Sequence, residues 1–430
     1  MKKVAILGFG REGQSVLKFL KNSPEWKNSS ITILDKNPAL KPPRGIKIFK
    51  GPEYLKHLPD FDIVFRSPGI PFSLPAITSA KRKGVEFSSA TKLFFDELNS
   101  SRAASIMHHA PIVVGVTGTK GKGTVCALLY DILKADGRKV VLAGNMGAPM
   151  LDEINKIKRA DFVILELSSF QLQDLKVSPP IAVVLNITPD HLDAHKNFDE
   201  YVDAKKAITK YQKRTDHVFY FGDNEKSEHI AFQSNGAKHI VDPAAWKLFD
   251  PAHLKIPGAH MFANAVIAAT VAQHLGCHDG SIIKAVKAFK GTPYRLQLSR
   301  ELALRPNISI QFYNDSAGTN PETAAAAVQA FKLPTVLIAG GKDKGLSYDA
   351  LREALRASQV TKVILYGENQ EKIAAELDES ELSHKFPARL YNTAVTPPAH
   401  LWNHIAKTLD ETVLVNIAQN QPLCMESGFR

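Results

Sequence analysis

The sequence predicts an α/β protein of three domains, each a parallel sheet covered by helices. Three observations carry that prediction. A length of 430 residues exceeds one ordinary core and suits about three domains at the usual ~150 residues each. Short apolar runs alternate with helical patterns in three successive stretches. Two of the strand-to-helix turns are rich in glycine.

In the first stretch the buried strands are Val4 to Leu7, Ile31 to Leu34, Ile46 to Phe49 and Asp62 to Phe65. A polar joint at Asn99-Ser100-Ser101-Arg102 leads to a fresh strand at Pro111 to Val114, which sets the first boundary near residue 103. The second stretch continues with Val140 to Leu142, Phe162 to Leu165, Ala182 to Leu185 and Val218 to Phe221. It closes on a helix from His260 to Leu275 that Gly276 stops. After Gly291-Thr292-Pro293 a third stretch includes Thr335 to Ala339, Val363 to Tyr366 and Thr412 to Val415. The expected domains are therefore 1–102, 103–291 and 292–430.

Composition narrows the class. A hydrophobic share of 44% with 23% charged residues belongs to a folded globular chain and excludes disordered and collagen-like classes. Lys and Arg total 54 against 43 Asp and Glu, which favours anionic partners. The basic residues are scattered, without runs or interleaved aromatics, so phosphorylated small molecules explain the charge as well as nucleic acid does, a solvated basic surface explains it more simply, and no nucleic-acid partner is expected. Cys126, Cys277 and Cys424 have no metal or redox spacing. The apolar run after Met1-Lys2-Lys3 ends at Gly8, too soon for a signal peptide, and no stretch reaches the ~18 apolar residues of a membrane span. A cytoplasmic protein without a membrane partner is expected.

Gly8-Phe9-Gly10-Arg11-Glu12-Gly13 follows a strand and opens a helix, and Asp35 ends the next strand. Such a turn brings backbone close to a diphosphate at a helix N-terminus. A dinucleotide or a UDP group would need the same geometry, and a ligand-free tight turn would use the same glycines. Gly115 to Thr124 forms a second cradle, in which Gly118, Thr119, Lys120, Gly121, Lys122 and Gly123 can surround phosphates. Against the phosphate-loop pattern Val116 stands at the first glycine and Gly123 at the Ser/Thr, so Thr124 is the nearest hydroxyl for Mg²⁺. Glu166 and His191 follow strands at the end where α/β sheets bind ligands. Taken singly each reads equally as a surface or capping residue.

Gly118 to Lys122, Gly144-Asn145-Met146-Gly147, Glu166-Leu167-Ser168-Ser169-Phe170-Gln171-Leu172, Asp190-His191-Leu192-Asp193, Tyr201 to Lys205, His260 to Asn264, Tyr294-Arg295 and Asn314-Asp315-Ser316 together resemble the Mur ligases in order and spacing. The Ser-Ser-Phe-Gln-Leu run and Ser67-Pro68-Gly69-Ile70 are similar to the branch that adds D-glutamate. The resemblance implies an N-terminal Rossmann-like UDP-binding domain, a central ATPase domain of the phosphate-loop type and a C-terminal Rossmann-like domain. It implies a monomer that uses ATP to join D-glutamate to UDP-N-acetylmuramoyl-L-alanine through an acyl phosphate, in peptidoglycan precursor synthesis. Lys122 would contact the β/γ-phosphates, and Glu166 and His191 would hold Mg²⁺. Lys205, which otherwise reads as a solvated helical lysine, would be carbamylated and so become an anionic ligand beside the metal. Asn264, Arg295 and Asp315 would contact ATP, the last two from the third domain, whose closure would complete the site. Gly8, Gly10, Gly13, Asp35, Lys36, Ser67, Pro68 and Gly69 would hold the UDP group. Asn145, Ser168 and Ser169 would approach the sugar-peptide, and Lys344 the carboxylate of the incoming amino acid.

The chain departs from that pattern at Gly123, at Ala317, where a lysine is expected, and after Val415. There the family's Ser-Pro and Ser-Phe-Asp elements give way to Asn416-Ile417-Ala418-Gln419-Asn420-Gln421-Pro422, a swap that a frame change would produce. Two other readings follow from the same residues. The Gly-Lys-Gly-Thr loop is similar to folylpolyglutamate synthetases, and the altered tail suits a nucleotide-binding protein without ligase activity.

Overall fold

The computed structural model describes residues 1–103, 110–191, 195–305, 308–318, 320–341, 345–378, 389–390 and 413–419. The chain divides into two compact units, residues 1–246 with 266–282, and residues 247–265 with 283–430.

The first unit contains two sheets. One has the order β3-β2-β1-β4-β5, built from β1 (Lys2–Leu7), β2 (Ser29–Asp35), β3 (Lys47–Lys50), β4 (Ile63–Arg66) and β5 (Glu86–Ser88). All its pairings are parallel. Its helices are α1 (Arg11–Asn22), α2 (Pro75–Arg82) and α3 (Ala90–Ala103). The other sheet has the order β11-β10-β9-β6-β8-β7 and is also wholly parallel. Its strands are β6 (Ile112–Thr117), β7 (Val140–Gly144), β8 (Phe162–Glu166), β9 (Ile181–Val184), β10 (His217–Phe221) and β11 (Ala237–Val241). Its helices include α4 (Lys122–Ala135), α5 (Ile154–Ile157), α6 (Ser169–Leu172), α7 (Phe198–Lys206) and α8 (Glu225–Ala231).

Strands β8 and β9 are buried at every residue, as a parallel sheet covered on both faces requires, and this is why their sequences read as unbroken apolar runs. One hydrophobic cluster joins both sheets, from Ile6, Leu20, Phe65 and Phe94 to Val163, Leu165, Leu172 and Ile187. Each such side chain contributes about 1.5–3 kcal/mol when fully buried.

Helix α9 (Ala259–His274), expected over His260 to Leu275, and α10 (Asp279–Ala288) are followed in the second unit by α11 (Pro321–Gln329), α12 (Asp349–Ala357) and α13 (Gln370–Asp378). The sheet of that unit has the order β12-β13-β17-β14-β15-β16, with β12 (Gln297–Arg305), β13 (Ile308–Asn314), β14 (Thr335–Gly341), β15 (Val360–Tyr366), β16 (Arg389–Leu390) and β17 (Val413–Gln419). Only β12 runs antiparallel to its neighbour. The backbone of the unusual segment after Val415 continues β17, paired with β13 as far as Asn416 and with β14 as far as Gln419. Among the described residues no helix is long and apolar enough to cross a membrane.

The expected strands all appear, while β5, β11, β16 and the β12–β13 pair are additional. β11 is an edge strand with four of five residues at least partly exposed, so it lacks an apolar run. β12 carries Arg300 and Glu301 in mid-strand and two register shifts, which blur its period.

Candidate functional site

The first glycine turn is held by its own neighbours. A Cβ on Gly13 would lie 2.2 Å from the Gly8 carbonyl oxygen, so only glycine lets α1 start so close to β1. The Phe9 N–H donates to Asp35 Oδ2 at 2.7 Å and the Ser67 hydroxyl to the Gly8 carbonyl at 2.7 Å. Asn37 N–H donates to Asp35 Oδ1 at 2.8 Å, and Lys36 beside it is exposed. Among the described residues nothing lies within 4 Å of a Cβ built on Gly10 or Gly69. The turn thus leaves open space at the N-terminus of α1, with Ser67-Pro68-Gly69 following the adjacent strand β4.

Arg66, the last residue of β4, is almost fully buried. Its guanidinium donates to the Ile70 carbonyl at 2.6 Å and the Phe170 carbonyl at 3.0 Å, and it pairs with Asp174 at 3.3 Å. Glu12 on α1 accepts from Gln171 Nε2 at 2.7 Å. Burial pushes the Glu12 carboxyl up, against the Gln171 hydrogen bond and the Arg66 charge. These contacts fix the Leu167 to Leu172 segment against the first sheet. Within it Ser168 caps α6 in a capping box with Gln171, and Ser169 Oγ lies 3.0 Å from His195 Nε2.

The phosphate-loop segment leaves the central strand β6 and enters α4. Gly121, at φ +83, caps the helix in a left-handed conformation that favours glycine. The Thr119 hydroxyl accepts from the Thr188 N–H at 3.0 Å and lies 3.0 Å from Tyr201 Oη, which latches the loop to the segment after β9 and to α7. Lys122 folds back, its Nζ donating to the carbonyls of Gly118 and Thr119 at 3.0 and 2.9 Å. Lys120 is exposed and Thr124 buried.

Glu166 closes β8, the neighbour of β6 on one side. It is 7% exposed, and Oε1 accepts from Asn145 Nδ2 at 3.2 Å. A Cβ on Gly123 would lie 3.5 Å from Glu166 Oε2, so this oxygen faces the start of α4. A buried carboxylate beside a phosphate cradle offers the hard oxygen donors that suit Mg²⁺, and the residues present fit that ion. His191 follows β9, the neighbour on the other side. It adopts φ +54, is about half exposed and lies 5.3 Å ring to ring from Phe170. Among the described residues no carboxylate forms an ion pair with Lys205, which is 1% exposed. Its Nζ donates to the Gly118 carbonyl at 3.1 Å, reaches Thr117 Oγ1 at 3.5 Å and sits over the Tyr201 ring at 4.5 Å. Burial, helped by the Lys122 charge, holds its amine well below the usual lysine range despite Asp190 and Glu166. That shift favours the neutral amine, the form that can add CO₂, so the residue fits a carbamate.

In the second unit Asn264 is buried on α9 and Arg295 is exposed. Tyr294 and Leu296, at φ +64 and +41, flank Arg295 in left-handed conformations unusual for such residues. Asp315 Oδ1 accepts from the Leu296 N–H at 2.9 Å, so the buried carboxylate pins this turn. The two residues, distant in sequence, belong to one local arrangement. Ala317 N–H donates to the Tyr294 carbonyl at 2.9 Å. Lys344 and the tail from residue 420 lie outside the described residues.

Sequence reasoning passed over His195, Arg66, Glu12 and Tyr201 Oη. Glu12 and Tyr201 stand inside motifs already singled out without a role assigned to them, and Arg66 and His195 stand just beside such motifs. Their partners lie far along the chain, as with Arg66 and Asp174, 108 residues apart.

Comparison with known proteins follows the same lines. Family profiles described as "Mur ligase MurD-like, N-terminal domain" and "Mur ligase middle domain" match residues 2–89 and 116–272. The chain is 35% identical over 415 residues to the UDP-N-acetylmuramoylalanine–D-glutamate ligase of Acetivibrio thermocellus, covering 89% of this chain and 84% of the relative. It is 33% identical to the enzyme of that name from Ruminiclostridium cellulolyticum, over 86% and 82% of the two. Among solved structures it is similar in fold to the Thermotoga maritima MurF ligase in complex with ADP (TM-score 0.57, 16% identity, 97% and 91% covered). The Thermotoga maritima UDP-N-acetylmuramate-alanine ligase MurC is comparable (TM-score 0.56, 17% identity, 98% and 96% covered).

Proposed function

The chain belongs to the Mur ligase family, and from that premise we propose that it joins D-glutamate to UDP-N-acetylmuramoyl-L-alanine with hydrolysis of ATP to ADP and phosphate. The observation that carries the assignment to this chain's own residues is the meeting of the phosphate loop, Glu166 and the buried Lys205 at the carboxyl ends of β6 and β8 and on α7.

A carboxylate and an amine do not condense at useful rate until one carboxylate oxygen becomes part of a leaving group. The substrate carboxylate attacks the γ-phosphorus of ATP, the bond to the β-phosphate oxygen breaks, and an acyl phosphate and ADP result. The amine of D-glutamate then adds to the acyl carbon, inorganic phosphate leaves, and the amine nitrogen loses its proton. Positioning and charge neutralisation are the protein's contribution. Backbone N–H groups of Gly118 to Gly123 hold the phosphates, and Lys122 turns from its loop carbonyls toward the β/γ-phosphates. Mg²⁺, when bound, neutralises the phosphate oxygens; Glu166, His191 and Thr124 are the proposed ligands. Lys205, as a carbamate, contributes a fixed negative charge in place of a positive one. The turn at Gly8 to Gly13, with Asp35, Lys36 and Ser67 to Gly69, receives the UDP group, and Asn145, Ser168 and Ser169 face the sugar-peptide. Asn264, Arg295 and Asp315 are the proposed ATP contacts of the second unit, and Lys344 that of the acceptor carboxylate. A cytoplasmic monomer is the proposed form.

The test is phosphate release from ATP with UDP-N-acetylmuramoyl-L-alanine present, measured with and without D-glutamate. Release that depends on both compounds, with product mass rising by one glutamyl residue, is the expected result. Equal release without the UDP compound, or dependence on a folate instead, would overturn the assignment.

A further inference from the structure

We propose that His217, His239 and His274 form a binding site for one divalent transition-metal ion, Zn²⁺ before others, separate from the nucleotide site. His217 opens β10, His239 lies in the middle of the edge strand β11, and His274 ends α9. In the parallel register His239 pairs with Phe219, two residues on from His217, so both histidines point to one face of the sheet. His274 reaches the same place from the last turn of the helix: its ring centroid is 4.2 Å from that of His217 and 5.4 Å from that of His239.

The ligand atoms suit a metal. One nitrogen from each ring can be chosen so that all three lie within 4.8 Å of one another. His217 Nδ1 and His239 Nε2 are 3.0 Å apart. Zn–N bonds of 2.0–2.1 Å at tetrahedral angles place ligand nitrogens about 3.3 Å apart, so small ring rotations bring the trio to coordination distance. A hydrogen bond between neutral imidazoles explains the first pair. It leaves the third ring unexplained, since the His274 ring makes no hydrogen bond among the described residues. Phe219 restrains two of the rings, stacked on His239 at 4.5 Å and edge-on to His274 at 5.2 Å.

Three imidazoles with no carboxylate select Zn²⁺, Cu²⁺ or Ni²⁺ over Mg²⁺, which prefers oxygen. They leave a fourth position for water. The nucleotide site lies elsewhere, because the phosphate loop leaves the carboxyl end of β6 while His217 starts β10, and the strands between run parallel. The site therefore ties the exposed sheet edge to the end of α9 and acts on stability rather than on phosphoryl transfer.

The experiment uses the full chain, without a histidine tag, freed of metal by chelator and titrated with ZnCl₂ by calorimetry and by thermal unfolding, without nucleotide. One Zn²⁺ per chain at a Kd of about micromolar or tighter is expected, with a melting temperature several degrees higher. MgCl₂ should do neither. His239→Ala and His274→Gln should each weaken Zn²⁺ binding by a hundredfold or more. Because His274 is exposed, His274→Gln should keep the apo melting temperature, which separates lost ligation from lost folding. Co²⁺ should give the visible bands of a tetrahedral site in the parent and not in His274→Gln. No saturable Zn²⁺ binding, or equal binding by the parent and both variants, would overturn the proposal.

Discussion

Arg66→Met should destabilise the first unit by about 3–5 kcal/mol, the cost of breaking a buried ion pair from one side. The structure supports the upper part of that range. Both side chains are nearly sealed from water, 0% exposed for Arg66 and 6% for Asp174. Loss of the guanidinium strands the Asp174 carboxylate and also removes the donors to the Ile70 and Phe170 carbonyls. For a unit of this size each kcal/mol moves the melting temperature by roughly 2–4 °C, so a fall of about 6–20 °C is expected. Scanning calorimetry of the parent, Arg66→Met, Asp174→Leu and the double variant forms a complete cycle. The double variant should recover much of the loss, because no charge then remains buried. A single-variant loss below about 1 kcal/mol, or a double variant no more stable than Arg66→Met, would refute the reasoning.

Four further predictions concern the chemistry. Lys122→Ala should abolish ATP turnover with the melting temperature kept, because it removes the cation nearest the transferring phosphoryl; unchanged phosphate release would reject the loop assignment. Lys205→Ala should lose activity and regain part of it with a small added carboxylic acid, and full activity without the acid would exclude a carbamate role. Gly123→Ser should fold, since its Cβ meets only Met146 Sδ at 3.4 Å and Glu166 Oε2 at 3.5 Å, and should lower the Mg²⁺ concentration for half-maximal turnover. A higher Mg²⁺ requirement would show that Thr124 already serves as the hydroxyl. Finally, a family-like ending grafted after Val415 should tighten D-glutamate saturation on the order of a hundredfold or more, from two regained charge-assisted hydrogen bonds at about 1.5–3 kcal/mol each. Equal saturation in both proteins would mean that the present ending supplies its own acceptor site.

Local chemistry made much of this protein legible in its sequence. Apolar runs such as Phe162 to Leu165 mark buried parallel strands because both faces of a covered sheet exclude water. Glycines at 8, 13 and 121 mark turns because a short stretch of backbone must pass where a Cβ cannot. The order of the motifs was enough to indicate the family, and with it the candidate residues. What the sequence could not carry was environment. Lys205 reads as a solvated helical lysine until packing seals it against Gly118 and Tyr201, and that burial, with the Lys122 charge, holds its amine well below the usual lysine range. The edge strand β11 has no apolar run, and Arg66 and Asp174 meet across two sheets. His217, His239 and His274 belong to two strands and a helix end, and no spacing rule joins them. Propensity and motif act over a few residues, whereas these groups are brought together by strand order and helix packing, so their protonation and partners were decided only when the chain had folded.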